Sequence, residues 1–391
     1  MKRILGGVGL AVLLLLTSSV AAEEAAFKSI FNGKDLEGWD GRPGFWTVQD
    51  GYIRGQTTKE KKAPGNTFLI YRGSKIKDFE LKITYRITTG NNSGVQYRSK
   101  EVNKWVVAGY QSEVQNQLAK TGFLYHEKGR GWLVDVGDFM EISKDGVKAV
   151  VGVCADQPAI VKAPSHTDNQ WNAYHFIARG NHVVHILNGY QTVELIDYHV
   201  DQKNPDSTKQ RCMEGVLAVQ IHGGGPMTVD YKDIQLKHLT DSFGEARRLF
   251  NGKDKTGWKT EGGGNWTVAE LKDPGVTGAK RKTKIEGTLN VLTCDGKAKG
   301  YLTPDSALGK NYIVRFQARR PGDTTTGGDT PIKAAVGWHS YEVTVRGKKV
   351  VTTVDGVVSN LSPPHFMYSG QFALPSTDKM EYRNIVIIPI K

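Results

Sequence analysis

Six side chains able to hold a polyhydroxylated ligand recur at every second position in one stretch, Asn91 to Arg130. In its first strand-like run Gln96 and Arg98 share a face, and in its second Gln111, Glu113, Gln115 and Gln117 do, because residues two apart on a strand point the same way. Val95, Tyr97, Val114 and Tyr110 supply the opposite, apolar face that a sheet needs against a core. Amides, one carboxylate and one guanidinium suit a sugar, whose hydroxyls each donate and accept. An ordinary solvated sheet face is the plain alternative. Glu113 is the acid of this run, and His126 and Glu127 follow in Tyr125-His-Glu-Lys-Gly-Arg130. Gln220 and His222 stand at a strand end before three glycines, which form no phosphate loop because no Lys-Ser/Thr follows. His182 and His185 fall on opposite faces of one strand, so at most one can face a site. Trp171 and Trp132 are candidate stacking rings, with burial in the core as the default for Trp.

The elements that must position these groups are written as β-structure. Short runs of Val, Ile, Tyr, Phe and Thr are bounded by Gly, Asn, Asp and Pro, and Asn188-Gly189 and Asp355-Gly356 read as hairpin turns. Long amphipathic helices are absent from the pattern, so a sandwich or barrel is expected. The chain also repeats itself. Phe31-Asn-Gly-Lys-Asp35 and Gly38-Trp39 recur as Phe250-Asn-Gly-Lys-Asp254 and Gly257-Trp258, and Trp46-Thr-Val48 recurs as Trp266-Thr-Val268. Three further matches follow in the same order, pairing the segments from Asp78, Trp171 and Gly215 with those from Asn311, Trp338 and Gly370. The second copy lacks a counterpart of the Asn91 to Arg130 stretch. It carries Ala373, Leu374 and Pro375 where the first is read as having Gln220, Ile221 and His222. Chemistry therefore belongs in the first copy, and the second reads as a binding or structural module.

The chain has 391 residues, enough for two cores. Lys2 and Arg3, an apolar run to Leu16 and Val20-Ala-Ala22 before Glu23 read as a signal peptide over 1–22. The expectation is a periplasmic or secreted protein, with no stable membrane insertion after cleavage. Cys154, Cys212 and Cys294 are too few, and odd in number, for a disulfide framework, and one Cys154–Cys212 bridge is left open. The formal net charge is +12, but the cations are scattered and no nucleic-acid motif is present, so a solvated basic surface is expected and no nucleic acid partner.

Asn92-Ser-Gly-Val-Gln-Tyr-Arg98, Gly109-Tyr-Gln-Ser-Glu-Val-Gln115, Thr121-Gly-Phe-Leu-Tyr125, Trp171-Asn172, Leu187-Asn-Gly189 and the Phe31 to Asp35 opening resemble the 3-keto-disaccharide hydrolase family. The resemblance covers nearly all of residues 27–239, and only the framework beyond. It implies an all-β chain of two concanavalin A-like jelly-roll sandwiches in tandem, over 23–240 and 241–391, with a ligand site on a concave sheet. It also implies an oligosaccharide or glycoside substrate already oxidised to a ketone at C3. Many relatives have Asp where this chain has Gln115, which weakens any mechanism needing two adjacent carboxylates.

A 3-keto sugar needs a base, a stabiliser for the developing enolate and a proton for the leaving group. The assignments are Glu113 or His126 as base and Arg98 or a metal at the enolate. Gln96, Gln111, Gln115, Tyr125, Glu127, Arg130, Trp171, Gln220 and His222 are the substrate-binding set. No cofactor is required by the pattern; if a divalent ion is used, Glu113, His126 and His222 are its expected ligands. The alternatives are a laminarinase-like glycosidase using Glu113 with Glu127, and a lectin-like module that binds without cleaving.

Overall fold

The computed structural model describes residues 26–116, 120–155, 170–271, 282–283, 285, 288–323, 330–332, 337–359 and 366–391. The expected signal peptide and Gln117 lie outside these residues. The described chain is all β. Residues 28–238 form two sheets. The larger runs, in spatial order, through Lys148–Val153, Asp138–Ile142, Tyr190–Asp197, His182–Leu187, Asn172–Arg179, Phe79–Ile87, Met227–His238, Tyr52–Thr57 and Trp46–Gln49. The smaller has the order Gly131–Val134, Leu124–Glu127, Val106–Gln115, Asn92–Asn103, Val216–Ile221, Thr67–Tyr71, Trp39–Asp40. One apolar cluster fills the space between them, with Leu81, Tyr85, Tyr97, Val114, Phe176 and Val219 at or near zero exposure.

The second copy repeats this plan. Trp266–Leu271, Leu289–Asp295, Lys379–Pro389, Asn311–Arg319, His339–Arg346 and Lys349–Val354 lie side by side, in the order of their counterparts in the larger first-copy sheet. Trp258–Gly262, Gly300–Pro304 and Leu374–Pro375 stand for Trp39–Asp40, Thr67–Tyr71 and Val216–Ile221. Among the described residues of the second copy, the strands that carry the polar stretch have no counterpart. The register corrects one detail of the sequence comparison. Leu374 opposes Leu302 as Val219 opposes Leu69, while Trp258 opposes Pro304 as Trp39 opposes Tyr71. Pro375, not Ala373, therefore stands at the place of Gln220.

Local chemistry explains why the openings match. Asn32 Oδ1 accepts from the amides of Lys34 and Asp35, and Asn251 Oδ1 does the same for Lys253 and Asp254. Each turn then delivers a buried Trp whose Nε1 donates to a carbonyl, Trp39 to Ile30 at 2.8 Å and Trp258 to Leu249 at 2.9 Å. Asn188-Gly189 and Asp355-Gly356 both have positive φ at the two turn positions, as tight hairpins need.

The copies stack through their long sheets. Phe139, Ile196, Phe243, Ile313, Val386 and Ile388 form a shared apolar cluster. Around it Gln317 Nε2 donates to Cys154 O and Asn384 Nδ2 to Val153 O, each at 2.7 Å. All six residues of His182–Leu187 are consequently buried.

Cys154, Cys212 and Cys294 are free thiols, so the Cys154–Cys212 bridge left open by the sequence does not form. Burial pushes the Cys212 thiol up to about 12, and thiolate is the reactive form. Native protein should therefore resist Ellman's reagent at pH 8, and unfolded protein should release all three thiols. A dithiothreitol-dependent drop in melting temperature would contradict this.

Candidate active site

The strand Val106–Gln115 is interior to the smaller sheet, between Asn92–Asn103 and Leu124–Glu127. Alternation sends Tyr110 and Val114 into the core and Gln111, Glu113 and Gln115 to the other side. There they line a cleft of about 260 Å³ with Asn66, Asn92, Gln220 and Glu127. Phe123 and Trp132 form one wall, stacked at 3.6 Å and 6°, and Lys120, Tyr125 and His222 complete the lining.

Glu113 is the most enclosed acid of the cleft, with 3% of its surface exposed. Its Oε1 accepts from Asn92 Nδ2 and, at 2.6 Å, from Gln115 Nε2. Its Oε2 accepts from Gln111 Nε2 at 3.1 Å. A relay of amides fixes Gln111 in turn. Ser99 Oγ donates to Gln96 Oε1 at 2.8 Å, and Gln96 Nε2 to Gln111 Oε1 at 2.7 Å. Gln220 Nε2 donates to the same Gln111 oxygen at 3.1 Å. Three amide donors favour the carboxylate, but burial opposes them, and Glu127 adds repulsion. The balance pushes the Glu113 carboxyl up to about 7. Burial, Glu127 and Glu113 also raise the Tyr125 phenol, so it stays protonated near neutrality. Two buried acceptors remain without partners, Asn92 Oδ1 and Gln220 Oε1; each costs free energy until a donor arrives.

The relay needs a residue without a side chain at its centre. Gly94 pairs with Glu113, and a Cβ there would lie 2.4 Å from Gln111 Cδ. Gly94→Ala is expected to destabilise the protein by about 1–3 kcal/mol in urea melts, because Gln111 is tethered on three sides. A neutral substitution would show that the amide array is loosely held.

The cleft gathers Gln111, Glu113, Gln115, Tyr125, Glu127, Gln220 and His222 of the sequence-derived set. It does not gather the others. A bulge shifts the register between Tyr97 and Lys100, and Arg98 has a φ of +49°. Alternation fails there, and Arg98 is buried at 3.0 Å from Asp78, donating also to the carbonyls of Lys77, Gly180 and Cys212. It is a structural ion pair, not a cleft cation. His126 pairs with Tyr110 and so faces the core side, where its Nδ1 accepts from Arg130 Nε at 3.0 Å. Burial and Arg130 hold it at about 3, as a neutral ring. Arg130 grips Asp197 through both oxygens. Trp171 lies on the larger sheet beside Arg86 and Lys232, 4.6 and 4.4 Å from its ring. Gln96 is wholly buried beneath Gln111 and acts as a strut. His185 bonds Tyr97 OH at 2.6 Å and His182 bonds Glu194 at 2.9 Å, so neither reaches the cleft.

Glu113, His126 and His222 therefore do not converge on a metal. Among the described residues no three His, Cys, Asp or Glu side chains form a metal-ligating group.

Sequence reasoning missed Asn66, Asn92, Lys120 and Phe123 and left Trp132 at its core default. Asn92 was available by alternation from Gln96 and Gly94, and Phe123 from Tyr125. Asn66 had no local signal. It is brought in where Thr67–Tyr71 pairs with Val216–Ile221, and its Oδ1 accepts from Gly223 N while its Nδ2 donates to Glu127.

Residues 26–237 match the family described as the 3-keto-alpha-glucoside-1,2-lyase-like domain. A 3-keto-disaccharide hydrolase of Bacteroides thetaiotaomicron is 36% identical over 81 residues, which span 19% of this chain and 28% of that protein. A Parabacteroides distasonis protein named as a glycosyl hydrolase superposes over 55% of this chain and 94% of its own, with 20% identity and a TM-score of 0.36. A carbohydrate-binding module of Bacillus subtilis does so over 51% and 95%, with 15% identity and a TM-score of 0.33.

Proposed function

The chain belongs to the 3-keto-alpha-glucoside-1,2-lyase-like family, and from that premise we propose that its cleft cleaves glycosides bearing a ketone at C3. The observation that supports this most is Glu113 itself, an enclosed carboxylate in a shell of amide donors at the floor of the cleft. The ketone acidifies the neighbouring C2–H bond. Glu113 takes that proton, and the C–H electron pair forms the enolate across C2 and C3. Return of that pair forms C1=C2 and expels the glycosidic oxygen from C1, which is protonated as it leaves. Water then adds across C1=C2, oxygen to C1 and a proton to C2, so the net change is hydrolysis.

A base tuned near neutrality suits this step, since transfer is most efficient when the catalytic pKa lies near the working pH. Lys120, the cation of the cleft lining, is assigned to the enolate oxygen in place of Arg98. Tyr125, kept as a phenol, is assigned as proton donor to the leaving group. Asn92 Oδ1 and Gln220 Oε1 accept from sugar hydroxyls, and Trp132 with Phe123 covers a ring face. No step requires a metal.

The second reading is a conventional glycosidase, favoured by the presence of Glu127 in the same cleft. Product analysis by NMR separates the two. Cleavage of a 3-keto-glucoside but not of its unoxidised parent supports elimination. Cleavage of the parent supports the pair Glu113 and Glu127, and saturable binding without cleavage of either moves the chain to the lectin class. Export over 1–22 remains part of the proposal, and a mature N-terminus at Glu23, read by mass spectrometry of the periplasmic fraction, tests it.

A further inference from the structure

A second cavity is larger than the Glu113 cleft. It lies between the two copies, holds about 710 Å³, and falls within the roughly 300–1,000 Å³ usual for ligand sites, which favour such junctions. One wall is the outer face of the larger first-copy sheet, from Glu80, Lys82 and Thr84 to His175 and Ile177. The other is the long sheet of the second copy, with Arg315, Ser340, Glu342 and Thr353.

Most charges on these walls are already matched. Arg179 Nη1 meets Glu342 at 2.7 Å across the junction, and Glu80 takes His175 at 2.9 Å and Lys237 at 3.5 Å. Two polar atoms are not matched. Arg315 is 6% exposed and its Nη1 has no hydrogen-bond partner; Ser340 is 6% exposed and its Oγ has none. Both residues line the cavity. Beside them Ile177, Ile186 and Ile332 form an apolar patch.

These features select a ligand. A greasy molecule would leave the Arg315 and Ser340 groups buried and unpaired. Among the described residues only Lys82, exposed over the Phe27 ring at 4.5 Å, lacks a carboxylate partner on these walls, and Glu342, 3.7 Å from Arg315, opposes an anion beside the unpaired groups. A neutral sugar fits both needs, since its hydroxyls accept and donate while its C–H face lies on isoleucine methyls. We propose that the junction of the two copies is a second carbohydrate-binding site, separate from the Glu113 cleft, that takes a neutral mono- or disaccharide unit. The degenerate copy thereby gains a role despite lacking the polar strands of the first. The site does not rest on the elimination chemistry, and it holds if the cleft turns over no 3-keto sugar.

The probes are cellobiose and maltose, unoxidised so that neither is a 3-keto substrate. They are titrated into the full chain carrying isotope-labelled isoleucine methyls. Saturable shifts of the Ile177, Ile186 and Ile332 methyls are expected with at least one probe, and they should persist in Glu113→Gln. Thr84→Trp, which puts a bulky ring into the cavity from a half-buried strand position, should weaken or abolish them. Ser340→Ala removes an unpaired hydroxyl without harming the fold and should weaken binding by about fivefold. The proposal is overturned if neither probe moves these methyls, or if a folded Thr84→Trp protein gives the same shifts.

Discussion

Glu113→Gln is expected to lower kcat/KM on a 3-keto-glucoside by about a thousandfold, the scale of a lost general base. Shape and burial are nearly unchanged by the substitution, so the protein should remain folded. The wild-type profile should rise with pH and level off above about 7, because the carboxylate is the active form and burial holds its titration there. Stability runs the other way. The folded pKa is raised above the ordinary carboxylate value, so the protonated group's contribution is complete below about 4.5 and is lost as pH climbs through about 7. Wild-type protein should lose stability across that window by up to about 3 kcal/mol, while Glu113→Gln should lack this component. Urea melts at pH 5 and pH 8 on both proteins measure it. A variant that retains full turnover would remove Glu113 from the mechanism.

Asp78→Ala is expected to produce the largest loss of stability, about 3–5 kcal/mol, because it strands the Arg98 charge in a buried site. The guanidinium would keep its three carbonyl acceptors but lose its only carboxylate partner among the described residues. Replacing both residues, as Asp78→Leu with Arg98→Met, should recover much of the loss, since a buried pair and an apolar pair of similar volume are often close in free energy. The folded fraction of either protein should turn over substrate at a near-normal rate, because Arg98 does not line the cleft. A stable double variant without activity would restore Arg98 to a catalytic role.

The parts of this molecule that were legible in the sequence are those set by local rules. The repeated Asn turns and the Asn-Gly and Asp-Gly hairpins need only short-range hydrogen bonds and positive φ, so the duplication and the all-β class could be read directly. The Gln111, Glu113, Gln115 face followed from strand alternation, which holds through the interior of Val106–Gln115. Alternation misled where a strand bends. Arg98 was placed beside Gln96, but the bulge turns it inward. Its enabling residue is distant: a Cβ on Gly215 would lie 2.3 Å from Ser99 O and 2.5 Å from Arg98 C. Nothing near Arg98 announces that. His126 was misplaced for a related reason. Which of Tyr125, His126 and Glu127 faces the cleft depends on the register of Leu124–Glu127 against Val106–Gln115, and that register sets Tyr110 opposite His126. The cavity between the copies depends on how two sheets stack, and no strand pattern encodes it.

The most direct test of the elimination account is cleavage of a 3-keto-glucoside in D2O, with the released 3-keto sugar followed by NMR from the earliest turnover. The free product incubated with Glu113→Gln protein corrects for background exchange. Deuterium at C2 of the newly released sugar, in excess of that control, is the predicted result, because water returns a proton to the carbon from which Glu113 removed one. Release of sugar with hydrogen fully retained at C2 would contradict the account and assign the cleft to direct displacement at C1.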